Sequence, residues 1–232
     1  MIDRLKYNLL VFCIKDILNT DFLDILKTKQ SYKDIYDHPE WIWNSVVICI
    51  ATMRNSRGIK LIYNKGFPNN PKYYYSSLVL NSDADNKIIL EDLLKGVRFE
   101  KNKIEYLLEN IKKIKKIGGP SAVKDSLLKL KTAGERINLI QDFSGIGPKY
   151  SLTILIDAGD DIVSNIVVID YYSATFINFI DSSLSRNPVK KTYLEYEKNF
   201  RQIACDVDVD IRTLDIIMHR YYEKICQKLN IG

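Results

Sequence analysis

Apolar residues return at three- and four-residue spacing along most of the chain, as in Leu5, Leu9, Phe12 and Ile17 and again in Leu107, Leu108, Ile111, Ile114 and Ile117. A half-buried strand hides alternate residues, whereas a helix hides one stripe at this spacing, so the pattern points to a mostly α protein. The stripe breaks at Gly66 to Pro71, Gly118 to Pro120, Ser144 to Pro148, Gly159 to Asp161 and Arg186 to Pro188, each supplying Gly, Pro or Asx turn chemistry. Between the breaks, helices are predicted over 43–63, 90–95, 101–117, 121–130, 134–143, 149–158, 171–179, 194–205 and 211–229. Two patches resist that reading: Tyr73 to Leu80, which reads as extended, and Ile166 to Ile169, a β-branched run too short for a helix.

A chain of 232 residues can bury a large core, as one domain or as two lobes. It has no stretch of eighteen apolar residues, and the opening run Leu9 to Ile14 is flanked by Lys6, Lys15 and Asp16 without a cleavage site. No membrane span and no secretory signal are expected, and an intracellular location follows. The four Cys form no CxxC pair and there are only two His. That spacing suits neither a disulfide framework nor a zinc site, so no metal ligand set is expected. The net charge is only +5, but residues 95–131 hold eleven Lys and Arg against four Asp and Glu, a local excess of +7. A polyanion such as DNA is a reasonable partner for that segment, with a merely solvated helix face as the plainer alternative.

The segment Phe143-Ser144-Gly145-Ile146-Gly147-Pro148-Lys149 lies between two apolar helices, with the second starting near Pro148. Proline suits a first helical turn, where its missing N–H would have no partner anyway. Two glycines let the backbone turn sharply and approach a ligand, and the following helix adds unpaired N–H donors and the positive end of its dipole. Such a turn is a seat for a phosphate. A GxG pair alone reads equally as a simple helix–helix turn; Phe143, Ile146, Pro148 and Lys149 make it the more specific hxGxGxK pattern.

That segment resembles the helix-hairpin-helix motif. With the run Val167-Val168-Ile169-Asp170 that follows twenty-one residues after Lys149, FSGIGPKYS and VVIDYYS resemble the LPGVGxKxA and VDxH segments of the helix-hairpin-helix-GPD superfamily of DNA base-excision glycosylases. Residues 96–119 are similar to the family's helix before the hairpin, residues 46–63 to the helix that supplies its DNA-wedging loop, and residues 212–223 to its C-terminal core helix. The resemblance is closest over 96–176 and looser over the rest of 43–223. It implies an all-α, two-lobed fold with a cleft between the lobes, one lobe of residues 43–165 and another of 1–42 with 166–232.

Family members with both the hairpin lysine and the downstream aspartate are bifunctional glycosylases with AP-lyase activity, which makes Lys149 and Asp170 the expected catalytic pair. A neutral Lys149 amine would attack C1′ of the sugar, and Asp170 would stabilise the positive charge developing there while also capping the next helix. Gly145, Gly147, Arg57 and Lys60 are the expected phosphate contacts, and Met53, Arg54 and Asn55 the expected plug for the gap left by a flipped base. The partner that the resemblance implies is double-stranded DNA with a damaged base, an oxidised one such as 8-oxoguanine, or an abasic site, and a monomer is expected to act on it. After Asp170 the only Cys are Cys205 and Cys226, so the family's four-Cys iron-sulfur loop is missing and no cluster is expected; the hairpin carbonyls are expected to be able to hold a monovalent cation.

Three positions depart from the family pattern: Tyr172 stands where a His is common, Ser144 stands for the Pro of LPGVG, and the spacing from Lys149 to Asp170 is a little long. Tyr172 is a candidate for the base pocket or for plain packing, as is the Tyr73, Tyr74, Tyr75 cluster. Two other functions fit the same residues. One is a monofunctional glycosylase for alkylated or mismatched bases, in which Asp170 activates water and Lys149 touches only phosphate. The other is a non-catalytic DNA-binding module.

Overall fold

The computed structural model describes residues 2–53 and 57–231, with side chains for all of these but 31–33, 35, 36 and 190. Helices account for all the regular structure among them: α1 (Arg4–Asp37), α2 (Trp41–Thr52), α3 (Arg57–Tyr63), α4 (Tyr75–Leu78), α5 (Asp83–Leu94), α6 (Glu100–Ile117), α7 (Pro120–Lys129), α8 (Ala133–Gln141), α9 (Pro148–Asp157), α10 (Tyr171–Ile180), α11 (Tyr193–Val207), α12 (Ile211–Arg220) and α13 (Tyr222–Leu229). No described helix is long and apolar enough to cross a membrane. Two compact units result, one of residues 33–162 and one of residues 1–32 with 163–232.

The central unit is built around α2, where Trp41, Ile42, Trp43, Val46, Val47, Ile50 and Ala51 are all buried. A helix apolar on every face must be surrounded, and α3, α6, α7 and α9 pack against it. The boundary falls at residue 33, earlier than the expected 43, because Glu40 and Trp41 belong to this core. The buried Glu40 carboxylate accepts hydrogen bonds from the N–H groups of Tyr75 and Ser76, the latter at 3.0 Å. Those bonds also correct the extended reading of Tyr73 to Leu80. A carboxylate on the first free N–H groups stabilises a helix start, and the segment forms a 3-10 turn and then α4. Tyr73 and Tyr75 are packed inside the core.

The terminal unit gathers α10 to α13 and the first part of α1 around Leu10, Ile14, Ile17, Phe176, Ile177, Tyr196, Phe200, Ile203, Leu214, Ile217 and Ile225. Residues 166–170 are neither helix nor strand. The Tyr193 hydroxyl acts as a one-residue strand partner there, donating to the Val167 carbonyl at 2.9 Å and accepting from the Ile169 N–H at 3.0 Å. Residues 43–63 and 211–229, each read as one helix, are both interrupted: α2 ends before Met53, and α12 gives way to α13 at Tyr221.

Candidate active site

In the central unit the hairpin is formed by α8, the turn at residues 142–147 and α9. Thr132 starts α8 with a reciprocal capping box to Glu135, which satisfies two otherwise free N–H groups. A buried ion pair between Arg136 on α8 and Asp160, just after α9, clasps the two arms. The turn itself is gripped from α6 by residues on one face of that helix. Asn110, fully buried, accepts from the Ser144 N–H at 2.7 Å and donates to the Ser144 carbonyl at 2.9 Å. Lys113 donates to the Ser144 hydroxyl at 2.9 Å and to the Asp142 carbonyl, and Glu109 accepts from that hydroxyl. A proline at position 144 has no N–H to give Asn110, so the departure from the family pattern has a local reason.

The two hairpin glycines do different things. Gly145 has φ +81, and a Cβ there would stand 2.8 Å from the Tyr106 ring, so both conformation and space exclude other residues. Gly147 is in ordinary extended backbone, and a Cβ there would meet nothing within 4 Å. The expectation that both glycines shape the turn is corrected: one shapes it and the other keeps its outer face bare. Gly147 caps α9 without a side-chain hydrogen bond, and Pro148 takes the first helical position. Among the described residues no acceptor meets the N–H groups of Gly147, Lys149 and Tyr150. A helix start with free N–H groups has the donors and the dipole sign that an anion requires. Lys149 is exposed.

Arg57 and Lys60 are both exposed on α3. Met53, half-buried, is the residue on which α2 ends, while Arg54 and Asn55 lie outside the described residues. The end of α2 also comes near the hairpin, because α2 and α9 pack against each other. Burial holds the Tyr150 phenol above its ordinary range, with Thr52 opposing the rise.

In the terminal unit Asp170 caps α10, accepting from the Ser173 N–H through Oδ1 at 3.0 Å while its own N–H donates to the Ser173 hydroxyl at 3.0 Å. Its Oδ2 accepts no hydrogen bond among the described residues. Tyr172 joins an aromatic group, with its ring 4.6 Å from His219 and 4.8 Å from Tyr222, both edge to face. The histidine expected two residues after Asp170 is therefore replaced by a tyrosine with a histidine against it. Beside them, burial raises the Asp215 carboxyl above the ordinary carboxylate range; its Arg212 ion pair opposes the rise, and the charge of Asp170 adds to it. His219 and Asp215 carry no local motif that would single them out in the sequence. Asn110 and Lys113 do carry a signal, a polar stripe at 106, 109, 110 and 113, but what it grips lies about thirty residues away.

No protein-family model matches the chain, and no curated protein matches it. Solved structures do. An 8-oxoguanine DNA glycosylase of Methanocaldococcus jannaschii superposes with a TM-score of 0.66 at 20% identity, covering 92% of this chain and 93% of that one. An 8-oxoguanine glycosylase/lyase of the same organism, in complex with a 15mer DNA containing 8-oxoguanine, gives 0.66 at 19% identity over 90% and 94%. The 8-oxoguanine DNA glycosylase of Thermotoga maritima gives 0.66 at 17% identity over 92% and 95%. The hairpin, the capped α10 and the thirteen described helices thus sit in a chain that has the all-α fold of these 8-oxoguanine DNA glycosylases.

Proposed function

We propose that the protein is a base-excision repair glycosylase with AP-lyase activity on double-stranded DNA carrying an oxidised base, with 8-oxoguanine as the first candidate. The carrying observation is the start of α9: bare at Gly147, with free N–H groups at Lys149 and Tyr150 and an exposed lysine in its first turn, in a fold shared with 8-oxoguanine glycosylases. In this reading the N–H groups and the helix dipole hold a backbone phosphate next to the lesion, with Arg57 and Lys60 on further phosphates. Holding phosphates fixes the register of the DNA without reading its sequence.

The Lys149 amine, once neutral, attacks C1′ as the bond from C1′ to the base nitrogen breaks; the base leaves with the bonding pair and is protonated. The Asp170 carboxylate, whose Oδ2 is uncommitted, stabilises the cationic character of the sugar and takes the proton lost by the amine. The C1′–O4′ bond then breaks with O4′ taking a proton, which opens the sugar and leaves a Schiff base; this acidifies C2′, and removal of that proton expels the 3′-phosphate oxygen, cutting the strand. Tyr172 with His219 is the candidate wall for the extruded base. The reaction as written needs no metal cluster. A monovalent cation would be held by the carbonyls of Gly145 and Ile146, which accept no hydrogen bond among the described residues.

Borohydride trapping tests this on duplexes containing 8-oxoguanine, thymine glycol, uracil or an abasic site. A covalent adduct that is lost in Lys149→Gln is expected, strongest on the oxidised bases. No adduct on any duplex, the abasic one included, sinks the lyase. The exposed Lys149 also suits a phosphate contact, and base release that survives Lys149→Gln would move the chemistry to water activated by Asp170.

A further inference from the structure

Lys103 occupies the buried stripe of α6, beside Ile104 and Leu107, and is 1% exposed. Its ammonium is 3.0 Å from the Ala51 carbonyl and 2.9 Å from the Met53 carbonyl, and it donates to both. These oxygens lie at the C-terminal end of α2, where carbonyls lack intrahelical partners and the dipole is negative. The same Ala51 carbonyl also lies against Gly58 on α3, where a Cβ would stand only 2.0 Å from the oxygen. A cation and a bare Cα therefore both meet the end of α2. The same helix α2 packs against α9, whose first turn carries Lys149.

Burying an ammonium without a carboxylate is costly, and a leucine in the stripe would avoid that cost. Burial pushes the Lys103 amine down to about 8. No charged or titratable side chain of α2, α5 or α7, the helices packed on α6, adds to that shift among the described residues.

We propose that Lys103 is a positioning residue for DNA-gap filling, holding the end of α2 so that Met53 is presented to the duplex while α9 presents Lys149 to the sugar. This rests on the glycosylase reading and adds to it a group that touches neither base nor sugar. An abasic site in single-stranded DNA has no stack to plug, so its cleavage requires the catalytic residues but no plug; excision from a lesion duplex requires the plug as well.

The test compares these two reactions under single-turnover conditions. Lys103→Met is expected to slow duplex excision about 10- to 100-fold, the effect of losing a charge-assisted hydrogen bond, while single-strand cleavage stays within about threefold. In the wild-type protein the ratio of duplex to single-strand rate is expected to fall as pH rises through about 8, because the neutral amine is the weaker donor. Lys103→Arg keeps its charge and is expected to hold the ratio flat. A wild-type ratio that does not change from pH 7 to about 9.5, or a Lys103→Met variant that loses both reactions equally, overturns the positioning role. The wild-type profile needs no variant to fold. A wild-type protein that performs neither reaction overturns the glycosylase reading, and this inference with it.

Discussion

At position 145 a side chain is excluded twice, by a left-handed backbone and by the Tyr106 ring, whereas at position 147 it is excluded by nothing in the protein. The difference separates a glycine that the fold requires from one that it does not. Gly145→Ala should lower stability by about 1–3 kcal/mol, from left-handed strain plus the displacement of Tyr106. Gly147→Ala should leave the melting temperature within about 2 °C, a surface-scale effect, yet weaken binding to duplex DNA, because the methyl group occupies the face a phosphate needs. Thermal melts and duplex titrations of the two variants check this; equal loss of binding at equal loss of stability would remove Gly147 from the phosphate seat. Both glycines were legible as a motif, but which of them the fold itself requires was not, since that depends on a ring from a helix some forty residues earlier.

Helix α6 does two jobs at element scale, with the face at 106, 109, 110 and 113 gripping the hairpin turn and Lys103 holding the end of α2. Its existence was legible from the 3.6-residue stripe, and its end from Gly118, which takes φ +111. Its grips were not, because a lysine in a Lys-rich helix reads as solvated and the acceptors of Lys103 are main-chain carbonyls fifty residues away. The same limit explains Tyr73 to Leu80, where a distant Glu40 carboxylate decides for a helix over local β preference. The buried lysine has a thermodynamic signature. Its amine is lowered to about 8 in the folded protein against ~10.4 in an unfolded chain. Between those values the unfolded chain binds more protons than the folded one, so folding stability rises with pH across that window. Denaturant unfolding from pH 7.5 to 10.5 should show this rise in the wild-type protein and not in Lys103→Met, once the titrations common to both are subtracted.

The charge map of the whole molecule is narrower than its composition. Of the cations between residues 95 and 131, Lys103 is buried, Lys113 is committed to the hairpin, and Lys112 and Lys124 pair with Asp83 and Asp37. Lys101, Lys115, Lys116, Lys129 and Lys131 are exposed. If those lysines face DNA, changing Lys115 and Lys116 to Gln should reduce the slope of log affinity against log salt by about one for each. An unchanged slope would make that helix end a solvated surface and leave binding to Lys149, Arg57 and Lys60. The chain path adds a consequence for synthesis. The central unit is one unbroken stretch, residues 33–162, inserted between the two pieces of the other. As the chain leaves the ribosome, the hairpin and its supporting helices emerge before α10 to α13 do. The first α1 segment must then wait for α10 to α13 with Leu10, Ile14 and Ile17 uncovered, so the apolar surface left open longest during synthesis lies on α1 and not on the hairpin.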